Sequence, residues 1–493
     1  MLKRFLSTIS KRIGENSFFG NMLALMSANI IAQAISISAS FVTVKLYSPA
    51  EMGIYSNYTS ILTVLTVVIC LHYDRAIILP DDDRDAQQLL GLCAASCLCI
   101  SGVYALIFLP FHTWIAAQMN APELGPWLQL MPLSTLLGGT LSILQYWNSR
   151  RKTLDNVALS NAVQTASGSG SQILLGLKPI HLHGGMIFGT FIGKLISAIL
   201  LFRKTLSQEE EHLFSGVNIW GFREAAVRYR HFLSSIPGGL CDQLCSALPT
   251  LGLTYFFGSA EAGYYGLGHR LLALPLSIIN TSVGQAFFPE AKAAYNAGTL
   301  KPLCLRTVNL LLHIGTVPFL LLALVAPALV SFVFGSKWYT AGEYIKWLSL
   351  WLLLGFVYSP LAHIFSVVEQ PQKYTVLNTI NLAVRAVALL LGGMIGDPAL
   401  TIVFCGISGA LVSIFNCAYV LRLVQISLRE ILTCITQQFF HALLYTLPTL
   451  FSLAVIGQNM TSAVVAVLSG CVFLLIETRP ILHSLQVIGK DEA

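Results

Sequence analysis

Charge is scarce in this chain of 493 residues: only 11% are Asp, Glu, Lys or Arg, whereas a soluble globular protein carries about 25%. Long polar segments are missing too, and hydrophobic residues make up 55% of the sequence. These properties exclude a water-soluble enzyme. No basic stripe with interleaved aromatic residues is present, so the net charge of +6 does not indicate a nucleic-acid partner.

A membrane helix needs about 20 mainly apolar residues to cross a hydrocarbon core of about 30 Å. Repeated along the chain, such stretches predict an all-α polytopic membrane protein with about 14 transmembrane helices. The predicted spans are residues 20–44, 52–73, 86–110, 126–147, 156–177, 184–202, 233–257, 263–288, 304–334, 342–366, 374–396, 398–421, 436–456 and 461–477.

The distribution of Lys and Arg predicts the orientation, since cytoplasmic loops hold the excess of these residues. Most of the 29 lie at the termini or in loops on the same side as the termini, whereas only Lys45, Lys178 and Lys337 lie in the opposite loops. Both termini are therefore predicted to be cytoplasmic.

Several motifs suggest disulfides, nucleotide binding or metal binding, but their spacing or context does not support these roles. None of the 11 cysteines lies in a predicted outer loop, so no disulfide framework is expected. The run Gly189–Lys194 lacks the spacing and the Ser or Thr of a nucleotide-binding loop. Asp81–Asp83 is interpreted as a solvated loop cap, and His181 with His183 is too small a set to predict a metal site. The sequence thus predicts neither metal nor cofactor.

An internal repeat divides the chain. Residues 50–55 (AEMGIY) recur as residues 260–265 (AEAGYY), an offset of 210, and several further identities follow at the same offset without a gap. Helices 1 and 2 therefore correspond to helices 7 and 8. This predicts two pseudo-symmetric lobes of six helices and an added C-terminal helix pair. The predicted domains are residues 1–202, a cytoplasmic linker 203–232 with an amphipathic helix, residues 233–421, and the added pair with its tail, 422–493.

Polar side chains follow one face of several predicted spans, where they must face a cavity or another helix rather than lipid. The stripe on helix 1 includes Asn29 and Gln33. Helix 7 carries Asp242 next to Gln243, the repeat counterpart of Gln33, and helix 8 carries Ser277. For any single residue, interhelical hydrogen bonding remains the alternative to a hydrated cavity.

Four cations, Lys194, Arg270, Lys346 and Arg385, lie inside predicted spans, and Asp242 is the only carboxylate partner away from the ends of these spans. Lys346 is close enough to a helix end to reach the membrane surface. Lys194 follows a stripe of glycines and so also fits a tight helix contact. For Arg270, Arg385 and Lys194 we predict a role in a cavity for an anionic cargo, because fixed positive charges replace the hydration that a phosphate loses.

Several motifs along the chain are typical of one protein family: residues 47–55 (YSPAEMGIY), 74–80 (DRAIILP), 228–232 (RYRHF), 262–265 (AGYY) with Arg270 and Leu274–Pro275, 334–338 (FGSKW) and 341–344 (AGEY). With these motifs the chain resembles the polysaccharide (Wzx-type) flippases of the multidrug/oligosaccharidyl-lipid/polysaccharide exporter (MOP) superfamily.

The resemblance implies a secondary flippase, not an enzyme, in a bacterial or archaeal inner membrane. It implies translocation of polyprenyl-pyrophosphate-linked oligosaccharide to the outer leaflet for O-antigen, capsule or exopolysaccharide synthesis, by alternating access of the two lobes. The implied partners are this lipid-linked oligosaccharide, membrane lipid, a coupling proton or sodium ion and the polysaccharide polymerase machinery.

Two alternatives stay open. A cation-coupled multidrug exporter shares the fold, and Asp242 is then the candidate coupling carboxylate. A membrane-embedded polymerase or glycosyltransferase is the alternative of another class, but it needs catalytic residues in a substantial loop. The longest outer segment, near residues 111–125, holds a single acid, Glu123.

Overall fold

The computed structural model describes residues 33, 35–178, 180–208 and 219–488, and all regular secondary structure within these ranges is helical. The predicted all-α class is therefore confirmed. The α-helices are α1 (Ile35–Leu46), α2 (Pro49–Val68), α3 (Asp83–Gln118), α4 (Gly125–Leu128), α5 (Met131–Arg150), α6 (Leu154–Gly176), α7 (Gly185–Gln208), α8 (Ile219–Arg228), α9 (Ile236–Phe257), α10 (Ser259–Ala297), α11 (Leu300–Phe334), α12 (Tyr339–Leu361), α13 (Ile364–Val367), α14 (Pro371–Ile395), α15 (Pro398–Leu423), α16 (Leu428–Ile456) and α17 (Met460–Ile488).

Every predicted span overlaps one of these helices, the first only in part because residues 1–32 lie outside the described ranges. Within those ranges, eight helices are long and apolar enough to cross a membrane. The count is nine if residues 122–128 and α5, which meet at a bend of 53°, form one span. A multipass membrane protein is thus supported, whereas the count of 14 is not confirmed. Helices α2, α6 and α9 are not among the eight, because polar side chains interrupt their apolar runs.

A capping box starts α2, and two left-handed residues follow its end. The hydroxyl of Ser48 accepts from the backbone N–H of Glu51, and the Glu51 carboxylate accepts from the N–H of Ser48, a capping box that starts the helix. The helix ends at Val68, not at residue 73 as predicted. Leu71 and His72 adopt φ values of 51° and 59°, a left-handed conformation that cannot continue a right-handed helix. A short 3₁₀ helix, Tyr73–Ile78, follows.

The chain forms two compact units, residues 1–247 and 248–493. This boundary falls within α9, whereas the second lobe was predicted to begin at residue 233; the predicted domain boundaries stay predictions. In the first unit, α6 and α7 pack through glycines. A Cβ at Gly193 would lie 2.8 Å from the Cα of Gly168, and one at Gly189 would lie 2.7 Å from the backbone N of Gln172. The predicted small-residue contact is confirmed.

Ion pairs bring together three segments of the first unit that were predicted to be cytoplasmic. Asp83, at the start of α3, contacts Arg150, the last residue of α5, at 2.9 Å and Arg151, which follows it, at 3.0 Å. Arg228 at the end of α8 pairs with Asp85. Asp83 of the predicted loop cap Asp81–Asp83 is therefore an ion-pair partner of two arginines.

Helix α8 lies within the predicted amphipathic segment of the linker. Ala225, on its apolar side, is 8% exposed and belongs to a core cluster with Ile77, Cys93 and Trp147. The apolar face of α8 therefore packs against protein.

In the second unit, α16 and α17, the predicted C-terminal pair, pack against α11. Their shared core includes Val317, Ala442 and Phe473. All 11 cysteines are free thiols.

Candidate functional site

A polar cavity of about 500 Å³ lies within the first unit, between α2, α5, α6, α7 and α9. It brings together Lys194 of α7 with Asp242 and Gln243 of α9, residues that the sequence had singled out on two separate helices. The other charged or amide residues of its lining are His72, Asp74, Arg75, Gln145 and Gln164.

Asp74 is a buried, hydrogen-bonded acid of this cavity. Its side chain is buried, and Oδ2 accepts a hydrogen bond of 2.5 Å from the Ser142 hydroxyl. Oδ1 is buried without a hydrogen-bond partner. A buried carboxylate oxygen that lacks a donor is costly, so this oxygen is suited to bind a cation.

Sequence reasoning missed Asp74 and Arg75 as cavity residues. The motif that contains them was recognised only as the end of helix 2. Because the helix breaks at Leu71 and His72, the chain turns, and the 3₁₀ helix brings both residues into the cavity lining. Two charged residues directly after an apolar span were the signal that was available.

Lys194 projects from α7 next to the glycine contact. Within the described residues, no carboxylate lies within salt-bridge distance of its ammonium group. A membrane-embedded lysine without a carboxylate partner is typical of a functional site. Arg75 and Lys194 are nevertheless accompanied by Asp74 and Asp242, so the formal charges balance. The predicted excess of positive charge is therefore not a property of this cavity by itself.

The other predicted cations belong to the second unit. Arg385 is 5% exposed, and its guanidinium stacks 4.1 Å from the ring centroid of Trp351 and donates to Asn381 Oδ1 at 3.4 Å. Arg270 is half-buried on α10. Lys346 is exposed beside Trp347, in agreement with a lysine that reaches the membrane surface. The predicted cargo roles of Arg270 and Arg385 stay predictions.

The structure does not place three of the predicted site residues in the cavity. Asn29 lies outside the described ranges, and Ser277 lies on α10 with its side chain outside the description. Gln33 is half-buried just before α1. Their assignment to a cavity also stays a prediction.

Two clusters of histidine and glutamate lie apart from the cavity. Glu51, His181 and His183 meet where α2 begins, and His313, His441 and Glu477 meet between α11, α16 and α17. Burial alone raises the pKa of the Glu51 carboxyl. Hydrogen bonds from Ser48 and His183 and the nearby His181 outweigh this effect, so the pKa is lowered.

Comparison with solved structures identifies the fold. The lipid II flippase MurJ in an inward closed conformation is 11% identical, with a TM-score of 0.71 over 93% of this chain and all of that one. An inward-facing MATE multidrug transporter is 13% identical, with a TM-score of 0.65 over 80% of this chain and 94% of that one. A MOP superfamily transporter from Pyrococcus furiosus is 14% identical, with a TM-score of 0.52 over 83% and 94%.

This chain is therefore a polytopic membrane protein with the fold of the MOP superfamily. No curated protein matches it by sequence. The family described as polysaccharide biosynthesis protein matches residues 42–343. The chain belongs to this family, and the resemblance drawn from its sequence motifs is confirmed.

Proposed function

We propose that this protein is a secondary flippase that moves polyprenyl-pyrophosphate-linked oligosaccharide from the cytoplasmic to the outer leaflet. Its family supports a role in polysaccharide synthesis, and its fold is one that also serves a lipid II flippase. Sugar and pyrophosphate are polar, whereas the polyprenyl chain is soluble in the bilayer. Such a cargo needs a polar route for its head group only.

The observation that carries this proposal is the polar cavity with two cations, Arg75 and Lys194. Guanidinium and ammonium groups bind phosphate oxygens through charge-assisted hydrogen bonds. The amides of Gln145, Gln164 and Gln243 both donate and accept, which suits sugar hydroxyls. We assign Arg75 and Lys194 to the pyrophosphate and the amides to the glycan.

The proposed location is a bacterial or archaeal inner membrane, with both termini in the cytoplasm. The excess of Lys and Arg in alternate loops supports this orientation. So do the ion pairs of Asp83 with Arg150 and of Asp85 with Arg228, because they join loops assigned to the same side. The polysaccharide polymerase machinery is the proposed downstream partner.

Cation-coupled multidrug export is the second candidate function. It is favoured by two carboxylates in the cavity, Asp74 and Asp242, since a carboxylate attracts a cationic drug and carries a coupling proton or sodium ion. In the flippase, the same carboxylates are the proposed coupling sites. Asp74 is the better candidate because its Oδ1 is buried without a donor.

The experiment uses the full chain in liposomes with a fluorescent pyrophosphate-linked glycolipid and no ATP. We expect glycolipid movement that Lys194→Gln and Arg75→Gln reduce at least tenfold, while each variant is inserted at normal levels. Lys346→Gln is the matched control and should leave the rate unchanged. Export of dye cations without glycolipid movement would favour the multidrug function.

A further inference from the structure

The Glu51 carboxylate meets two imidazoles from a distant part of the sequence. Glu51 lies in the first turn of α2, whereas His181 and His183 lie in the loop between α6 and α7. Oε1 of Glu51 is 3.0 Å from Nε2 of His181 and 3.0 Å from Nδ1 of His183. One oxygen therefore faces two ring nitrogens, and all three atoms lie within 4.8 Å of one another.

Hydrogen bonds hold the carboxylate in this orientation. Its second oxygen, Oε2, accepts from the backbone N–H and from the hydroxyl of Ser48, both at 2.8 Å. Oε1 is left for the imidazoles. Tyr47 fixes the chain beside the cluster, since its buried hydroxyl donates to the carbonyl of Gln172 at 2.7 Å. Such outer contacts are what orients the ligands of a metal ion.

The tautomer of His181 is determined by its second contact. Its Nδ1 lies 3.2 Å from the carbonyl oxygen of Gly176, and a carbonyl only accepts, so Nδ1 carries a proton. In the neutral ring, Nε2 then has a lone pair directed at Oε1 of Glu51, another acceptor. Two acceptors 3.0 Å apart require a positive centre between or beside them. A proton on Nε2 supplies one, and a metal ion supplies the other.

We propose that Glu51, His181 and His183 bind one Zn²⁺ ion. Two imidazole nitrogens and one carboxylate oxygen are a ligand set that zinc accepts, with a fourth position for water. Ligand bonds of about 2.0–2.1 Å in a tetrahedron place neighbouring donor atoms about 3.3 Å apart. The two contacts to Oε1 need to lengthen by only a few tenths of an ångström. The hydrogen bond from His181 to Gly176 supplies the outer contact that zinc-binding histidines make.

The ion has a direct route to this site. The side chain of His183 is 85% exposed, whereas those of His181 and Glu51 are 31% and 9% exposed. The two inner ligands are therefore held in place, and the outer one is free to close over the metal. Bound zinc would fasten the first turn of α2 to the α6–α7 loop. The site does not depend on the proposed cargo.

The test uses the full chain in detergent, purified without a histidine tag, stripped with a chelator and titrated with ZnCl₂ by calorimetry. We expect one saturable site per chain and a higher midpoint of thermal unfolding with Zn²⁺. His183→Gln should weaken binding more than tenfold, and this exposed side chain can be replaced without unfolding the protein.

A second variant separates metal binding from a hydrogen-bonded tie. In Glu51→Gln, the amide oxygen still accepts from Ser48, and the amide N–H₂ donates to the lone pair of His181. The segments stay joined, but zinc binding should be lost. His112→Gln, a histidine of the same unit outside the cluster, should bind zinc as the wild type does.

The proposal is overturned if the wild type shows no saturable zinc binding, because the positive centre is then a proton on His181. It is also overturned if His183→Gln and Glu51→Gln bind zinc as tightly as the wild type. Equal weakening by His112→Gln would mean that the metal binds elsewhere, and this outcome too excludes the site.

Discussion

Tyr344 donates a hydrogen bond from its buried hydroxyl to the carboxylate of Glu261. Glu261 is the residue that the 210-residue repeat pairs with Glu51. Each glutamate lies in the first turn of a long helix, α10 and α2 respectively. Each also holds a segment far along the chain, Tyr344 in one unit and His181 in the other. The repeat therefore keeps the position of the carboxylate while its partner differs.

Removal of the Tyr344 hydroxyl should destabilise the second unit. A hydrogen bond to a charged group contributes about 1.5–3 kcal/mol, and Tyr344→Phe leaves a Glu261 oxygen without this donor. We expect a lower unfolding midpoint in detergent. Tyr339→Phe is the matched control, because the Tyr339 side chain is 48% exposed and its bond to Glu343 is 3.3 Å long. Equal shifts for both variants would contradict the assigned role of Glu261.

Gly185 should be intolerant of a side chain. A Cβ there would lie 2.3 Å from the Tyr47 hydroxyl, which is fixed by its bond to Gln172. Overpacking of this kind costs about 1–3 kcal/mol, so Gly185→Ala should lower both abundance and thermal stability. Gly170→Ala is the control, since no atom lies within 4 Å of the added Cβ. A helical Gly→Ala change without a clash should be neutral or slightly stabilising. A Gly185→Ala protein as stable as Gly170→Ala would show that Tyr47 can move.

The fold was largely predictable because membrane helices can be identified in a sequence by the length and apolarity of their segments. The glycine contact between α6 and α7 was also visible, since small residues spaced by four lie on one face. The end of α2 was not predictable. Its break depends on the left-handed conformations of Leu71 and His72. Histidine adopts this conformation more often than most residues, but it is uncommon for every residue type except glycine.

The candidate site was predictable only in part. A polar residue within a span shows that its side chain avoids lipid, and this reasoning found Lys194, Asp242 and Gln243. It does not show which polar faces meet. The joining of Glu51 to His181 spans 130 residues and depends on how the α6–α7 loop folds over α2. A His-x-His pair alone carried no information about the carboxylate.

Glu477 should hold the C-terminal helices against α11. Its Oε2 contacts His313 at 3.2 Å, and its Oε1 contacts His441 at 3.1 Å and the Tyr445 hydroxyl at 2.8 Å. Glu477→Ala removes the shared acceptor of all three and should cost about 1.5–3 kcal/mol. Protease sensitivity of α16 and α17 measures this loosening.

The matched variants for Glu477 differ in what they retain. Glu477→Gln keeps one acceptor oxygen and should be less harmful than the Ala variant. Glu123→Ala removes an exposed carboxylate and should be silent. If Glu477→Ala were cleaved no faster than Glu123→Ala, the hydrogen bonds would not be what holds these helices.

Arg385 now has two competing roles, which one pair of variants separates. Its stacking on Trp351 contributes about 0.5–2 kcal/mol, with the upper value for a desolvated pair, and Arg385 is only 5% exposed. A packing role predicts that Arg385→Gln lowers abundance and glycolipid movement in the same proportion, whereas a cargo role predicts normal abundance with lost movement. Arg385→Lys keeps the charge but loses the planar group that stacks. We expect Arg385→Gln and Arg385→Lys to be similarly unstable, since the geometry favours packing. If both variants had normal abundance and only Arg385→Gln lost glycolipid movement, a cargo-binding role of Arg385 would be supported instead.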